Sequence, residues 1–124
     1  MRGFDTETVD GRAWLACKSD GEVFYSPTMD PLLMFDFLLP KSGTAKYVCF
    51  NLTYDAQAIM LHMDEERIWE LERLGETDFG EYHLEWIRGK RLIVTCGKRV
   101  AKLYDIAQYW QGQGTDGKGS LDAV

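Results

Sequence analysis

From Glu81 onward the apolar residues of this chain fall into a period of two. Tyr82, Leu84 and Trp86 alternate with polar neighbours, then Leu92, Val94 and Cys96, then Val100, Lys102 and Tyr104. Successive side chains on a strand point to opposite faces, so this pattern reads as three half-buried strands. Arg88-Gly89-Lys90 and Gly97-Lys98 supply turn chemistry between them. The stretch is therefore a β-meander that ends near Asp105.

The front of the chain carries a similar signal. Arg2 to Thr8, Ala13 to Lys18 and Glu22 to Tyr25 read as short strands, separated by turns at Gly11 and at Ser19-Asp20-Gly21. Between the two meanders the pattern turns helical. Asp30-Pro31 is a helix start, with Asp30 as N-cap and the helix reaching about Leu39. Only Asp36 is polar from Leu32 to Leu39, so this helix is expected to be covered on several sides or to meet a neighbouring domain. Lys46 to Asn51 is expected to be a central, buried strand. Helices follow at about Thr53 to His62 and Asp64 to Leu74, the latter with Gly75 as C-cap. A short helix is expected from Ile106 to Trp110, then a Gly-rich loop from Gly112 to Gly119. Ser120 reads as the N-cap of a helix that has barely begun at Val124.

Length and charge limit the function. A chain of 124 residues is expected to form one domain. The formal net charge is −6, which does not suit a simple nucleic-acid binder with a basic face. If nucleic acid is the ligand, metal ions must supply part of the positive charge. Cys17, Cys49 and Cys96 are odd in number and far apart, which argues for a reducing compartment and against a zinc site. No apolar run reaches membrane-spanning length, so the expectation is a cytoplasmic protein with no membrane partner.

Two constellations carry chemistry. The first is Asp5-Thr6-Glu7-Thr8. On a strand, Asp5 and Glu7 share a face, about 7 Å apart at Cα. That spacing lets two carboxylates converge on hard cations such as Mg²⁺ or Mn²⁺, which take oxygen ligands. Asp-x-Glu is weak by itself. Asp64-x-Glu66 repeats it on a predicted helix, where the two side chains diverge, and belongs to a solvated face. The second constellation is Asn51-Leu52-Thr53-Tyr54-Asp55, at a strand-to-helix junction. Ligands of open α/β sheets bind outside the carboxyl ends of the strands. By itself, Asp55 could simply be a helix-starting acid and Asn51 a turn residue.

Together the two motifs resemble the DEDD, DnaQ-like 3′→5′ exonucleases, and most closely the proofreading domain of protein-primed family B DNA polymerases of phages and plasmids. FDTET, residues 4–8, looks like the first exonuclease motif of that family. FNLTYDAQAI, residues 50–59, looks like the second. The stretch LYDIAQYW…GSLDAV is similar to the segment leading toward the third. The resemblance spans essentially the whole chain. It implies an RNase H-like α/β fold: a mixed sheet with helices on both faces, the first meander antiparallel and the Lys46 strand parallel to the first. It implies Asp5, Glu7 and Asp55 as catalytic metal ligands for two Mg²⁺ or Mn²⁺ ions. Thr8, Asn51 and Tyr54 would contact the 3′-terminal nucleotides of single-stranded DNA. Metal-activated water would release a nucleoside monophosphate.

The sequence departs from the family at the third motif. No Tyr-x-x-x-Asp spacing follows Ser120, and Tyr104, Asp105 and Tyr109 lie in a segment the family does not use for metal. The expectation is one partial exonuclease domain over residues 1–124, incomplete at its C-terminal end and inactive alone. It would belong with the rest of a polymerase or exonuclease polypeptide, in a bacterial or archaeal host cell or encoded by a virus. The alternative is a catalytically degenerate module that binds nucleic acid or a protein partner. Trp69 and Trp86 are expected to be core or edge aromatics. Lys90, Arg91, Lys98 and Arg99 are expected at hairpin ends, keeping them soluble.

Overall fold

A computed structural model describes residues 1–10, 12–25 and 30–107. The fold is mixed α/β. An eight-stranded sheet runs in the order β3-β2-β1-β4-β8-β7-β6-β5. The strands are β1 (Arg2–Val9), β2 (Arg12–Lys18), β3 (Val23–Tyr25), β4 (Thr44–Cys49), β5 (Glu76–Phe79), β6 (Tyr82–Ile87), β7 (Arg91–Cys96) and β8 (Arg99–Asp105). The helices are α1 (Pro31–Leu38), α2 (Leu52–Met60) and α3 (Glu65–Leu74).

Each meander is antiparallel within itself. The two join through β4, which is parallel to β1 on one side and to β8 on the other. Three neighbouring strands thus present their carboxyl ends at one end of the sheet. β1 pairs with β4 only through Arg2 and Gly3. From Asp5 onward, β1 runs past the pairing and leaves a notch beyond the end of β4.

Register assigns the two faces. Tyr47, Leu103, Leu92 and Trp86 lie in one row across four strands, and Ala45, Ala101, Val94 and Leu84 in another. All eight are buried. The described helices pack on this face. The Tyr47 hydroxyl donates to the Leu38 carbonyl of α1, Thr6 of β1 bonds Asp55 of α2, and Thr77 of β5 bonds Glu70 of α3. The family resemblance implies helices on both faces. Among the described residues, all three lie on one, and the opposite face carries Asp5, Glu7, Lys46, Lys102, His83 and Glu85.

Local signals explain the element ends. Asp30 accepts from the Leu32 amide at 2.9 Å and Pro31 opens α1. Gly75 closes α3 with φ 82°, the left-handed conformation that glycine adopts without a Cβ clash. Other expectations need correction. α1 is covered on the side of Met34, Phe35 and Leu38 and leaves Leu32 and Leu33 exposed. β4 is buried on one face only, and Phe50 lies beyond it, 87% exposed. Trp86 is in the core, but Trp69 stands largely in solvent on α3. β5 has no counterpart among the strands expected from sequence; Glu76-Thr77-Asp78-Phe79 holds no aliphatic residue and a single β-branched one to announce it. Lys90 and Lys98 do lie in turns, with Arg91 and Arg99 at the first residues of the next strands. The expected turn at Gly11, the side chain of Trp14, most of the helix placed at Ile106 to Trp110, the Gly-rich loop and Ser120 fall outside the described residues.

Candidate functional site

The notch at the carboxyl ends of β1, β4 and β8 is bordered by Asp5, Asp55 and Asp105. Thr6 and Asp5 sit on β1 where β4 has ended. The Thr6 amide, on the edge of β1 that β4 no longer covers, donates to Asp55 Oδ1 at 3.3 Å. The Thr6 hydroxyl donates to the same oxygen at 2.7 Å. Asp55 is therefore held from the first turn of α2 against the free edge of β1, and is only 3% exposed.

Asp105 closes the other side. It is the last residue of β8 and is buried. Its Oδ2 accepts from the Leu52 amide at 2.9 Å, and its Oδ1 from the Ala107 amide at 2.7 Å. It thereby satisfies one of the orphan donors at the start of α2. Family resemblance sets this residue apart from the metal-binding acids. Its place at a strand's carboxyl end, followed by helical backbone at Ile106 and Ala107, is the signal that would have found it.

Burial pushes the Asp55 carboxyl up to about 6. The Thr6 hydrogen bonds work against that rise, while the neighbouring charges of Asp5 and Asp105 add to it. Asp5, Asp55 and Asp105 also act together on the buried Cys49 thiol, which burial and these three charges hold far above its ordinary value. Three carboxylates thus share one electrostatic neighbourhood. Asp5 itself is exposed and opens on the face away from the helices, at a cleft of about 500 Å³ bordered by Cys17, Val48, Phe50 and Ile106.

Glu7 shares the Asp5 face of β1 and is also exposed, as strand alternation requires. No hydrogen bond or ion pair ties it to the other acids among the described residues. Asp5, Glu7 and Asp55 do not have their ligand atoms all within 4.8 Å of one another; among the described residues, Glu76, His83 and Glu85 do. Like charges without a counter-ion spread apart, and Asp55 is pinned by Thr6 on the helix side of the strand while Asp5 faces the other.

The polar residues of the second motif are also located. Asn51 is the N-cap of α2, its Oδ1 accepting from the Tyr54 amide at 3.4 Å. Tyr54 is half-exposed, and its hydroxyl lies 2.5 Å from the Thr8 hydroxyl. Thr8 and Tyr54, 46 residues apart in sequence, therefore meet above the notch. Asp64 and Glu66 are exposed, as expected of a solvated face.

Compared with protein-family models, curated proteins and solved structures, the chain finds no match. Any function must therefore be read from the arrangement of these residues.

The donors suit a hard divalent cation in chemical type. Asp5, Glu7 and Asp55 offer only carboxylate oxygens, and a cation would favour the charged form of Asp55 that burial, and to a smaller extent the Asp5 and Asp105 charges, disfavour. Asp105 has both oxygens engaged by amides and serves as a positioning residue for α2.

Proposed function

We propose that this chain is the front part of a two-metal-dependent 3′→5′ exonuclease domain of RNase H-like fold, acting on single-stranded DNA 3′ ends. The observation that carries the reading is the placement of Asp55. A carboxylate buried at the carboxyl ends of three parallel strands, raised by burial and by Asp5, is a functional-site signature rather than a surface ornament. The strand order β3-β2-β1-β4-β8, with β1, β4 and β8 parallel, supports the fold assignment.

Asp5, Glu7 and Asp55 would hold Mg²⁺ or Mn²⁺. Such ions lower the pKa of bound water and stabilise charge on a displaced phosphodiester oxygen. The chain's own residues prepare that chemistry. Thr6 fixes Asp55 through two donors to one oxygen, and Oδ2 has no hydrogen-bond partner among the described residues, so it is available to a cation. Thr8 and Tyr54 stand at the mouth of the notch, where a hydroxyl can meet a sugar or phosphate and a ring can stack on a base.

Mn²⁺ titration followed by electron paramagnetic resonance tests this reading. Wild-type protein should bind Mn²⁺, Asp5→Ala should weaken binding by an order of magnitude or more, and single-stranded DNA should bind more tightly when Mn²⁺ is present. Mn²⁺ affinity indifferent to Asp5→Ala would remove the basis for a nuclease.

A further inference from the structure

We propose a second cation site, on the open face of the β5–β6 hairpin, formed by Glu76, His83 and Glu85 and suited to a transition-metal ion such as Zn²⁺. Their ligand atoms, a ring nitrogen and two carboxylate oxygens, all lie within 4.8 Å of one another. The site is independent of the notch. β6 lies four strand spacings from β1, about 19 Å across the sheet.

The hairpin register brings the residues together. Glu76 pairs directly with Glu85, and Asp78 with His83. His83 and Glu85 are two apart on β6, so all four side chains share one face. Like charges directly opposite each other destabilise a strand pair. Here neither glutamate has a Lys or Arg within ion-pair distance among the described residues, although such pairs form elsewhere on the surface. Protonated His83 would offset one of three carboxylates, whereas a divalent cation offsets two.

The donor set selects the metal. One imidazole with two carboxylates suits borderline cations such as Zn²⁺, Co²⁺ or Ni²⁺, while Mg²⁺, Ca²⁺ and Mn²⁺ favour oxygen. The imidazole is already oriented, since His83 Nδ1 lies 2.7 Å from Asp78 Oδ1. A carboxylate on one ring nitrogen fixes the tautomer and leaves the lone pair on the other, the usual outer partner of a metal-bound histidine. His83 is half-buried and both glutamates are exposed, so the site is open to solvent for metal entry and for a further ligand.

The test is calorimetric titration of EDTA-treated protein with Zn²⁺, paired with paramagnetic broadening of amide signals by Co²⁺. Wild type should bind one Zn²⁺ at this hairpin. His83→Gln and Glu85→Gln should each weaken that binding tenfold or more, and Asp5→Ala should leave it unchanged. Co²⁺ should broaden the signals of residues 76, 83 and 85 first. No Zn²⁺ binding by wild type, affinity unaltered in His83→Gln, or binding lost in Asp5→Ala would each overturn the proposal. The last outcome would assign the metal to the notch, so failure here and failure of the nuclease reading are separable.

Discussion

The notch and the hairpin hold similar charges in different surroundings. At the notch, Asp55 and Asp105 are buried, each accepting two hydrogen bonds, and Asp55 titrates near 6. On the hairpin, Glu76 and Glu85 face each other across two strands and stay in solvent. Water screens the second pair and cannot reach the first. Charge count alone therefore says little about either site. Burial decides which acids are under tension and which merely repel weakly.

Removing the buried acceptor gives the largest effect expected. Asp105→Ala leaves the amides of Leu52 and Ala107 without their charged partner. Hydrogen bonds to charged groups are worth about 1.5–3 kcal/mol each, so the loss should be about 3–4 kcal/mol after some rehydration. Urea unfolding monitored by circular dichroism would measure it. A loss under about 1 kcal/mol would mean that α2 starts without this cap, and that the two regions differ less than burial suggests.

Asp55 should respond in the opposite direction. Its folded pKa, about 6, lies above the ordinary aspartate value of 3.8. The unfolded chain therefore loses this proton first as pH rises. Stability from this group is greatest below about pH 4, falls between pH 4 and 6, and stays low above. A shift of this size corresponds to about 3 kcal/mol at most. Asp55→Asn keeps an oxygen for the Thr6 donors and removes the charge. In EDTA at pH 8 it should be more stable than wild type by about 1–3 kcal/mol, with the gap closing at pH 4. Equal stability of the two proteins at pH 8 would show that the carboxylate is relaxed in its pocket. A stabilising substitution that also weakens Mn²⁺ binding is the pattern of a residue kept for function.

The sequence disclosed these regions unevenly. Period-two alternation, one short apolar run and the turn residues marked seven of the eight strands, because burial leaves a direct imprint on residue choice. β5 escaped because Glu76 and Asp78 sit on the solvent face of a four-residue edge strand. Asp5 and Asp55 were legible through motif spacing and strand-to-helix position. Asp105 was legible only as a strand end before a helical stretch; its cap on a helix 53 residues away in sequence follows from the parallel pairing of β4 and β8, which LYDIA does not announce. The hairpin site was equally hidden. His83 shows no metal spacing to His62, and its partners arise from cross-strand register, which fixes Glu76 against Glu85 only once the turn is known. Placement of the three described helices on one face was hidden as well, because it rests on contacts between distant residues, such as Tyr47 with Leu38, Thr6 with Asp55 and Thr77 with Glu70.

The smallest effect sharpens the contrast best. Glu85→Gln removes one member of the directly opposed pair while keeping the shape of the side chain. Cross-strand charge pairs contribute roughly 0.2–1 kcal/mol, and exposure places this one at the low end. In metal-free protein at low salt, Glu85→Gln should therefore raise stability by about 0.3–0.5 kcal/mol. Raising salt to about 1 M, where the screening length falls to roughly 3 Å, should erase the gain. The Asp55→Asn gain should survive the same salt, because its cause is desolvation and salt does not enter the buried pocket. Adding Zn²⁺ should reverse the sign at the hairpin, since the wild-type pair then holds the cation and the Glu85→Gln variant holds it less well. If both substitutions lose their effect in salt together, the two regions share one dielectric and the distinction drawn between them fails.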